Sequence, residues 1–380
     1  MTELHMTELH MTELHMTETP MTAKNPTLPR LRAVAAQVAA ALVATTALAA
    51  PTAAPSRVPQ TQPTPATQTK SSVAQPPTPA CASPDSAQPL AQLDQVGICI
   101  DDRGRQIAVV RRGQRPPAGT DRVVVTNRRG EPLRSRRSVR YNQIVTKAGD
   151  SLRSIAYRYS VAPLVLATAN DLQWNPDDVV LPAGMSLRVP IRYRAADTFG
   201  VAERLLSGPG VHSERRWSNW GRPHVVRLLA NAFRESYKRW PQRHPAVAGS
   251  LSRLGGGKLH RHKSHRAGRD IDIGYYTTQS ERTMWGRPAL DAIDYERTWF
   301  LIDYLERTGQ VAAIYMSPRI QVRLHAYALR QGADPKRLET LFQYPAAHGA
   351  KRTLIRYSRG HRDHLHMRFA HPADLEELSS

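Results

Sequence analysis

HRHKSHRAGRDIDI at residues 260–273 and HRDHLHMRF at residues 361–369 carry the most chemistry in the chain, about a hundred residues apart. In the second stretch His364 and His366 alternate with Leu365 and Met367, so on a strand both imidazoles face one side. Asp270 and Asp272 alternate with Ile271 and Ile273 in the same way, with the isoleucines turned to the core. Imidazole and carboxylate together suit Zn²⁺, and a catalytic zinc takes three protein ligands and keeps one position open for water. Such an ion lowers the pKa of that water to roughly 7. No His-Glu-x-x-His occurs, which excludes the common helical zinc-protease motif. Histidine runs also arise as solvated basic patches, and Asp270 has Arg269 or Arg266 as simple ion-pair partners. What favours a metal site is the conjunction of His-x6-Asp with a distant His-x-His, each on strand-like sequence.

The surrounding composition is globular from about residue 198 to residue 371. Val226, Leu229, Phe233 and Tyr237 predict a helix over 225–237, and a second is expected over 299–305. Residues 271–275, 312–316 and 364–369 read as strands. Helices mixed with separated strands, without regular βαβ alternation, argue for an α+β class.

The N-terminal part is different material. MTELH repeats three times, followed by MTETP up to Pro20. After Met21 come Lys24, Arg30 and Arg32, the apolar run AVAAQVAAALVATTALAA at 33–50, and Pro51. A basic segment, an apolar segment and a small-x-small exit (Ala47-Leu48-Ala49) predict a secretory signal peptide cleaved before Ala50. Residues 51–95, rich in Pro, Thr, Ala and Gln, cannot bury enough apolar surface to offset chain entropy and read as a disordered tether. In an oxidising compartment Cys81 and Cys99 are candidates for a disulfide. Two cysteines are too few for a thiolate zinc site. Residues 96–140 form a small basic region with β-like stretches at 106–110 and 122–126. Its Arg134, Arg136, Arg137 and Arg140 are either a polyanion contact or a solvated linker. The net charge of +21 implies a polyanionic partner, and 41% hydrophobic residues with one apolar run exclude a polytopic membrane protein. Export and the lack of a matching motif speak against nucleic acid, and no integral membrane segment is expected after signal cleavage.

Between these regions, residues 141–192 read as strand, helix, helix, strand. Gly149-Asp150-Ser151 makes a turn that can cap a helix, Leu152, Ile155, Ala156 and Tyr159 follow at helical spacing, and 186–189 closes as a strand before Pro190. YNQIVTKAGDSLRSIAYRYSV…LATANDL…VVLPAGMSLRVP resembles a LysM module, with Asp150, Ile155, Ala156, Asn170, Leu172, Gly184, Leu187, Val189 and Pro190 at the family's positions. The resemblance implies binding of N-acetylglucosamine-containing glycans, chiefly peptidoglycan or chitin.

HKSHRAGRDIDI and HRDHLHMRF in turn resemble the two metal motifs of the penicillin-insensitive murein endopeptidases. Trp220-Gly221-Arg222-Pro223, Gly255-Gly256-Gly257, and Ala313-Ile314-Tyr315 with Ile320 and Leu324 are similar to that family too, so the resemblance spans about 199–372. It implies, for residues 198–373, the Hedgehog/D-Ala-D-Ala-peptidase type of α+β domain, a small antiparallel sheet flanked by helices. It further implies Zn²⁺ held by His265, Asp272 and His366, with His364 beside the metal as base or transition-state stabiliser. His262 and His361 match family histidines that either add coordination or stand behind the ligands. The family often carries disulfides in this domain; this chain has no cysteine there. The resulting expectation is a periplasmic or secreted zinc endopeptidase that cuts D-alanyl–diaminopimelate cross-links of peptidoglycan, gripping glycan through the LysM module and stem peptides through the peptidase domain. Its rivals are a D,D- or L,D-carboxypeptidase or D-Ala-D-Ala dipeptidase on the same scaffold, and a non-catalytic peptidoglycan-binding protein.

Overall fold

The computed structural model describes residues 97–100, 106–133, 139–193, 198–214, 217–278, 287–345 and 352–370. The expected signal peptide, tether, Cys81 and its pairing with Cys99, and Arg134, Arg136 and Arg137 lie outside them. Among the described residues no helix is long and apolar enough to cross a membrane.

The apolar runs IAVV and VVV build the first sheet. Strand β1 (Gly97–Ile100) pairs antiparallel with β2 (Gln106–Arg111), and β2 pairs parallel with β3 (Arg122–Thr126). Ala108, Val110, Val123 and Val125 pack on one face with Phe199, Ala202 and Trp220, while Ile107, Val109 and Val124 cluster apart from them. A near-continuous apolar run is the signature of a strand buried on both faces. The sheet continues through β6 (Val201–Arg204) and β8 (Trp220–Gly221), both antiparallel to their neighbours. The β-like stretches expected at 106–110 and 122–126 of the basic 96–140 region are β2 and β3. Its strands share hydrogen bonds with the segment that follows residue 198.

Inserted between β3 and β6 is a βααβ unit: β4 (Val139–Val145), α1 (Leu152–Arg158), α2 (Pro163–Thr168) and β5 (Ser186–Tyr193). Strands β4 and β5 form a two-stranded antiparallel sheet. Ser151 and Ser154 exchange hydrogen bonds with each other's backbone N–H, a capping box that starts α1 after Gly149 has turned the chain at φ 83°. Asn170 ties the end of α2 to β5: its amide donates to the carbonyls of Leu166 and Arg188 and its oxygen accepts from Arg188 N–H at 2.7 Å.

The second sheet has the order β12-β11-β13-β10-β9-β7, built from β7 (Val211–Ser213), β9 (Ala246–Ala248), β10 (Asp270–Gly274), β11 (Val311–Tyr315), β12 (Ile355–Arg356) and β13 (His364–Phe369). Its centre is antiparallel, but β12 and β7 join the edges in parallel, so the sheet is mixed rather than the small antiparallel sheet expected. Helices α3 (Pro223–Arg239), α4 (Tyr295–Arg307), α5 (Pro318–Arg330) and α6 (Pro335–Leu341) complete the core. Val226, Leu229 and Phe233 of α3 and Leu301, Ile302 and Leu305 of α4 pack there with Ile271, Ile273, Leu365 and Met367 of the sheet.

The βααβ unit is docked on this second layer through one buried ion network. Glu306 of α4 is fully buried and accepts from Arg153 Nε at 2.8 Å, from the Tyr157 hydroxyl at 2.9 Å and from Arg337 of α6. Arg153 also pairs with Asp178 at 3.1 Å. Around it, Trp174 Nε1 donates to Arg307 O, Leu164 N–H to Gly309 O, and Arg356 to Tyr157 O. Gly309, at φ 69°, admits no side chain, because a Cβ there would stand 2.6 Å from the Trp174 ring. Ala312 and Ala370 belong to the apolar cluster of the βααβ unit, whose core is thus closed by the C-terminal layer.

Removing one member of a buried ion network leaves the others uncompensated, at a cost of about 3–5 kcal/mol. Glu306→Ala is expected to lower denaturant-unfolding stability by that amount, since Tyr157 loses its buried acceptor and Arg153 and Arg337 each lose one of two carboxylates, keeping Asp178 and Asp303. A loss under about 1 kcal/mol, the range of exposed pairs, would show that water screens the network.

Candidate metal centre

The cross-strand register of β10 and β13 builds the site. Asp270 stands opposite Arg368, Asp272 opposite His366 and Gly274 opposite His364. Alternation puts Asp270, Asp272, His364, His366 and Arg368 on one face, while Ile271, Ile273, Leu365 and Met367 fill the core on the other. On the far side of β13, Tyr315 of β11 pairs with His366, and their rings lie 5.6 Å apart.

His265 reaches the same face from the 259–269 loop. Its Nδ1–H donates to Leu251 O at 3.1 Å, which turns Nε2 towards the aspartates. Arg222, just after β8, clamps this loop: its backbone N–H donates to Gly268 O and its Nε to Ala267 O, both at 2.9 Å. Gly268 is required where it is, at φ 67°, because a Cβ would sit 2.7 Å from the Phe199 ring. The first sheet thus holds the loop that carries a residue of the second.

Three atoms converge. His265 Nε2 lies 3.1 Å from both Asp272 Oδ1 and His366 Nδ1, and His366 Nδ1 lies 2.9 Å from Asp272 Oδ1. The other nitrogen of His366, Nε2, donates to Asp270 Oδ1 at 3.0 Å, and Arg368 Nε donates to the same oxygen at 2.7 Å. Hydrogen bonds that occupy the outer nitrogen of each ring fix the tautomer and direct the inner lone pair. Two imidazole lone pairs and a carboxylate oxygen this close repel one another unless a proton or a cation lies among them. At 2.9–3.1 Å the three edges are hydrogen-bond lengths, and ligand bonds of 2.0–2.1 Å in tetrahedral geometry would spread the same donors to about 3.3 Å.

The other histidines ring this triangle. His262 Nδ1 lies 3.7 Å from Asp272 Oδ2, and donor atoms of His262, His265 and Asp272 all fall within 4.8 Å of one another. His364 Nε2 lies 3.7 Å from Asp272 Oδ1, and its Nδ1 donates to Asp363 Oδ1 at 2.8 Å. His361 donates Nδ1–H to Ser358 O and packs its ring 5.0 Å from that of His364. All six histidine and aspartate positions named from the sequence therefore meet on one face. Asp270 meets them as well, and its partners are Arg368 and His366, not Arg269 or Arg266. The sequence left Asp363 unassigned, although its adjacency to His364 was a usable signal.

Electrostatics follow from burial and pairing. Burial alone would raise the Asp272 pKa, but His265 and His366 outweigh it and hold the carboxyl well below its usual range. Asp270 is likewise held low against its burial, by His366 and Arg368. Burial would lower His366, yet its bonds to the two carboxylates raise it to about 9. His361 is pushed down, first by burial and then by the neighbouring His364.

Residues 144–190 match the LysM domain family. They run from the end of β4 through both helices into β5, so Asn170 and the Ser151 cap are parts of a LysM domain, and this points to peptidoglycan binding and association with the cell wall. No protein among the curated ones matches the chain.

The raised pKa of His366 predicts a stability that depends on pH in the metal-free protein. A group raised in the folded state stabilises fully below its unfolded pKa of 6.5 and stops doing so as pH climbs through about 9. His224 and His361, both lowered, act only below that window. In chelator, the unfolding free energy from denaturant titration should fall between pH 6.5 and 9.5 by on the order of 3 kcal/mol, and this slope should vanish in His366→Asn. A flat profile would place the proton elsewhere.

Proposed function

We propose that this chain is an exported, zinc-dependent peptidoglycan hydrolase that cuts peptide cross-links of the D-alanyl–diaminopimelate type, held on the wall by its LysM domain. The observation that carries the reading is the convergence of His265 Nε2, Asp272 Oδ1 and His366 Nδ1 within 3.1 Å of one another, with His366 backed by a carboxylate. These three would hold the ion, and His262 is near enough to Asp272 to add a donor. When bound, zinc supplies a Lewis acid and makes water acidic enough to attack at neutral pH. The LysM match and the net charge of +21 favour an acidic, glycan-containing substrate, and export to the periplasm or beyond follows from the signal-like segment at 21–50.

The residues of the chain divide the remaining work. Asp363 accepts the Nδ1 proton of His364, which leaves Nε2 facing the centre as a base. Nε2 takes the proton of the attacking water as its oxygen bonds to the amide carbon. The resulting imidazolium lies beside the developing oxyanion and then returns the proton to the leaving amine nitrogen as the C–N bond breaks. Arg368 and Asp270 keep the His366 ring aligned throughout.

Digestion of purified muropeptides tests the bond cut. Cross-linked dimers become monomers, and the product disappears with chelator; shortened stems with intact dimers would instead mark a carboxypeptidase. Metal analysis beside that assay tests the roles. Asp272→Ala and His366→Ala should lose stoichiometric zinc and turnover while staying folded. Asp270→Ala should keep metal at about a 10–100-fold cost in affinity or activity. His364→Ala should keep zinc and lose most turnover. Full zinc in Asp272→Ala, or near-normal turnover in His364→Ala, would overturn the roles.

Co-sedimentation with insoluble peptidoglycan tests the anchor. The full chain should stay bound at about 1 M salt, where charges are screened beyond roughly 3 Å. Complete release by salt would assign the binding to net charge rather than to the LysM domain.

A further inference from the structure

Beside the candidate centre the chain forms a cleft of about 740 Å³, of whose lining the proposed chemistry uses Asp363 and none of the arginines. Its walls come from the start of α5 and from the 357–363 loop that leads into β13, and Arg287, Arg319, Arg359 and Arg362 line it. None of the four forms an ion pair with a described carboxylate, and Arg319, Arg359 and Arg362 are exposed. Among the described lining residues the one acid is Asp363, and its carboxylate already accepts from His364. Helix α5, thirteen residues long, opens on the cleft with Ser317 and Pro318, and the Ser317 hydroxyl makes no capping bond. The positive end of its dipole therefore adds to the arginines.

The cleft is coupled to the centre by contact. His361 lines it and packs its ring 5.0 Å from His364 and 5.8 Å from His366. The buried Tyr275 hydroxyl donates to His361 O, bracing that wall. A ligand seated here lies one side chain from the converging donors. Planar guanidinium groups bind carboxylates by paired N–H···O bonds, a geometry suited to several separate carboxylates rather than to one buried point charge.

We propose that this cleft is the subsite that reads the free carboxylates of the peptide substrate, so that the protein discriminates free-acid stem peptides from their carboxamide forms. The proposal rests on the peptidase reading for its substrate class. Its chemistry, a peptide bearing two or more carboxylates held by arginines 319, 359 and 362, stands on the cleft alone.

The test uses the full chain and two synthetic peptides, L-Ala-γ-D-Glu-diaminopimelate-D-Ala as free acid and as the carboxamide, neither carrying sugar for the LysM domain. Calorimetry should show the free acid binding at least about tenfold more tightly than the amide, as expected for loss of one charge-assisted contact. The double variant Arg359→Gln/Arg362→Gln should lose that preference, while Arg330→Gln, an equal class of change at the far end of α5, should keep it. Both altered arginines are exposed, and a circular dichroism melt checks that the variant folds. Equal affinity for the two peptides, an unchanged preference in the double variant, or the same loss in Arg330→Gln would overturn the proposal. Cross-link cleavage and zinc content, measured on the same samples, report on the peptidase reading separately. Preference without cleavage would sink the peptidase and leave the cleft, and cleavage without preference would do the reverse.

Discussion

Two carboxylates buried in the middle of a sheet are the constraint around which the C-terminal layer is arranged. Asp270 and Asp272 sit on β10 between β9 and β13, where an apolar residue would ordinarily stand. An isolated buried carboxylate is far too costly to keep ionised, so each must be met by cationic or hydrogen-bonding groups. Register supplies them. Arg368 and His366 lie directly across from the two aspartates, and His265 comes in from the loop that Arg222 clamps. Apolar packing on the opposite face of the same strands offsets the cost of this polar face.

A second buried acid joins the LysM domain to that layer. Glu306 takes contacts from Arg153 and Tyr157 of α1 and from Arg337 of α6, and the LysM core is closed by Ala312 and Ala370. The domain is inserted between two strands of one sheet, β3 and β6, so the chain enters and leaves it at fixed points. The LysM domain is thereby held against the layer that carries the candidate centre.

The first sheet has a supporting part in the same arrangement. Strands β2 and β3 bring their valines under Phe199 and Trp220, and the chain that leaves Trp220 carries Arg222 to the loop of His265. Phe199 also presses on Gly268, whose missing side chain lets that loop approach. The positively charged cleft lies at the start of β13: residues 361–363 line it, and His364 and His366 follow at once.

What the sequence determined by itself is local. Alternation in HLHMRF and DIDI assigns faces to the histidines and aspartates, helical spacing finds α3 and α4, and GDS after a strand starts α1, because periodicity and turn chemistry act over a few residues. The LysM string belongs to this class, with its cap and its Asn170 bridge contained in one short segment. Period two assigns a side chain to a face but not to a partner, and so Asp270 was open to Arg269 or Arg266 until the register of β10 and β13 gave it Arg368 and His366. The pairing of β3 with β6 across an inserted domain, the parallel edges of the second sheet, and the meeting of Glu306 with an arginine 153 residues away were beyond local pattern for the same reason. Each depends on which surfaces pack together, and only the tertiary structure decides that.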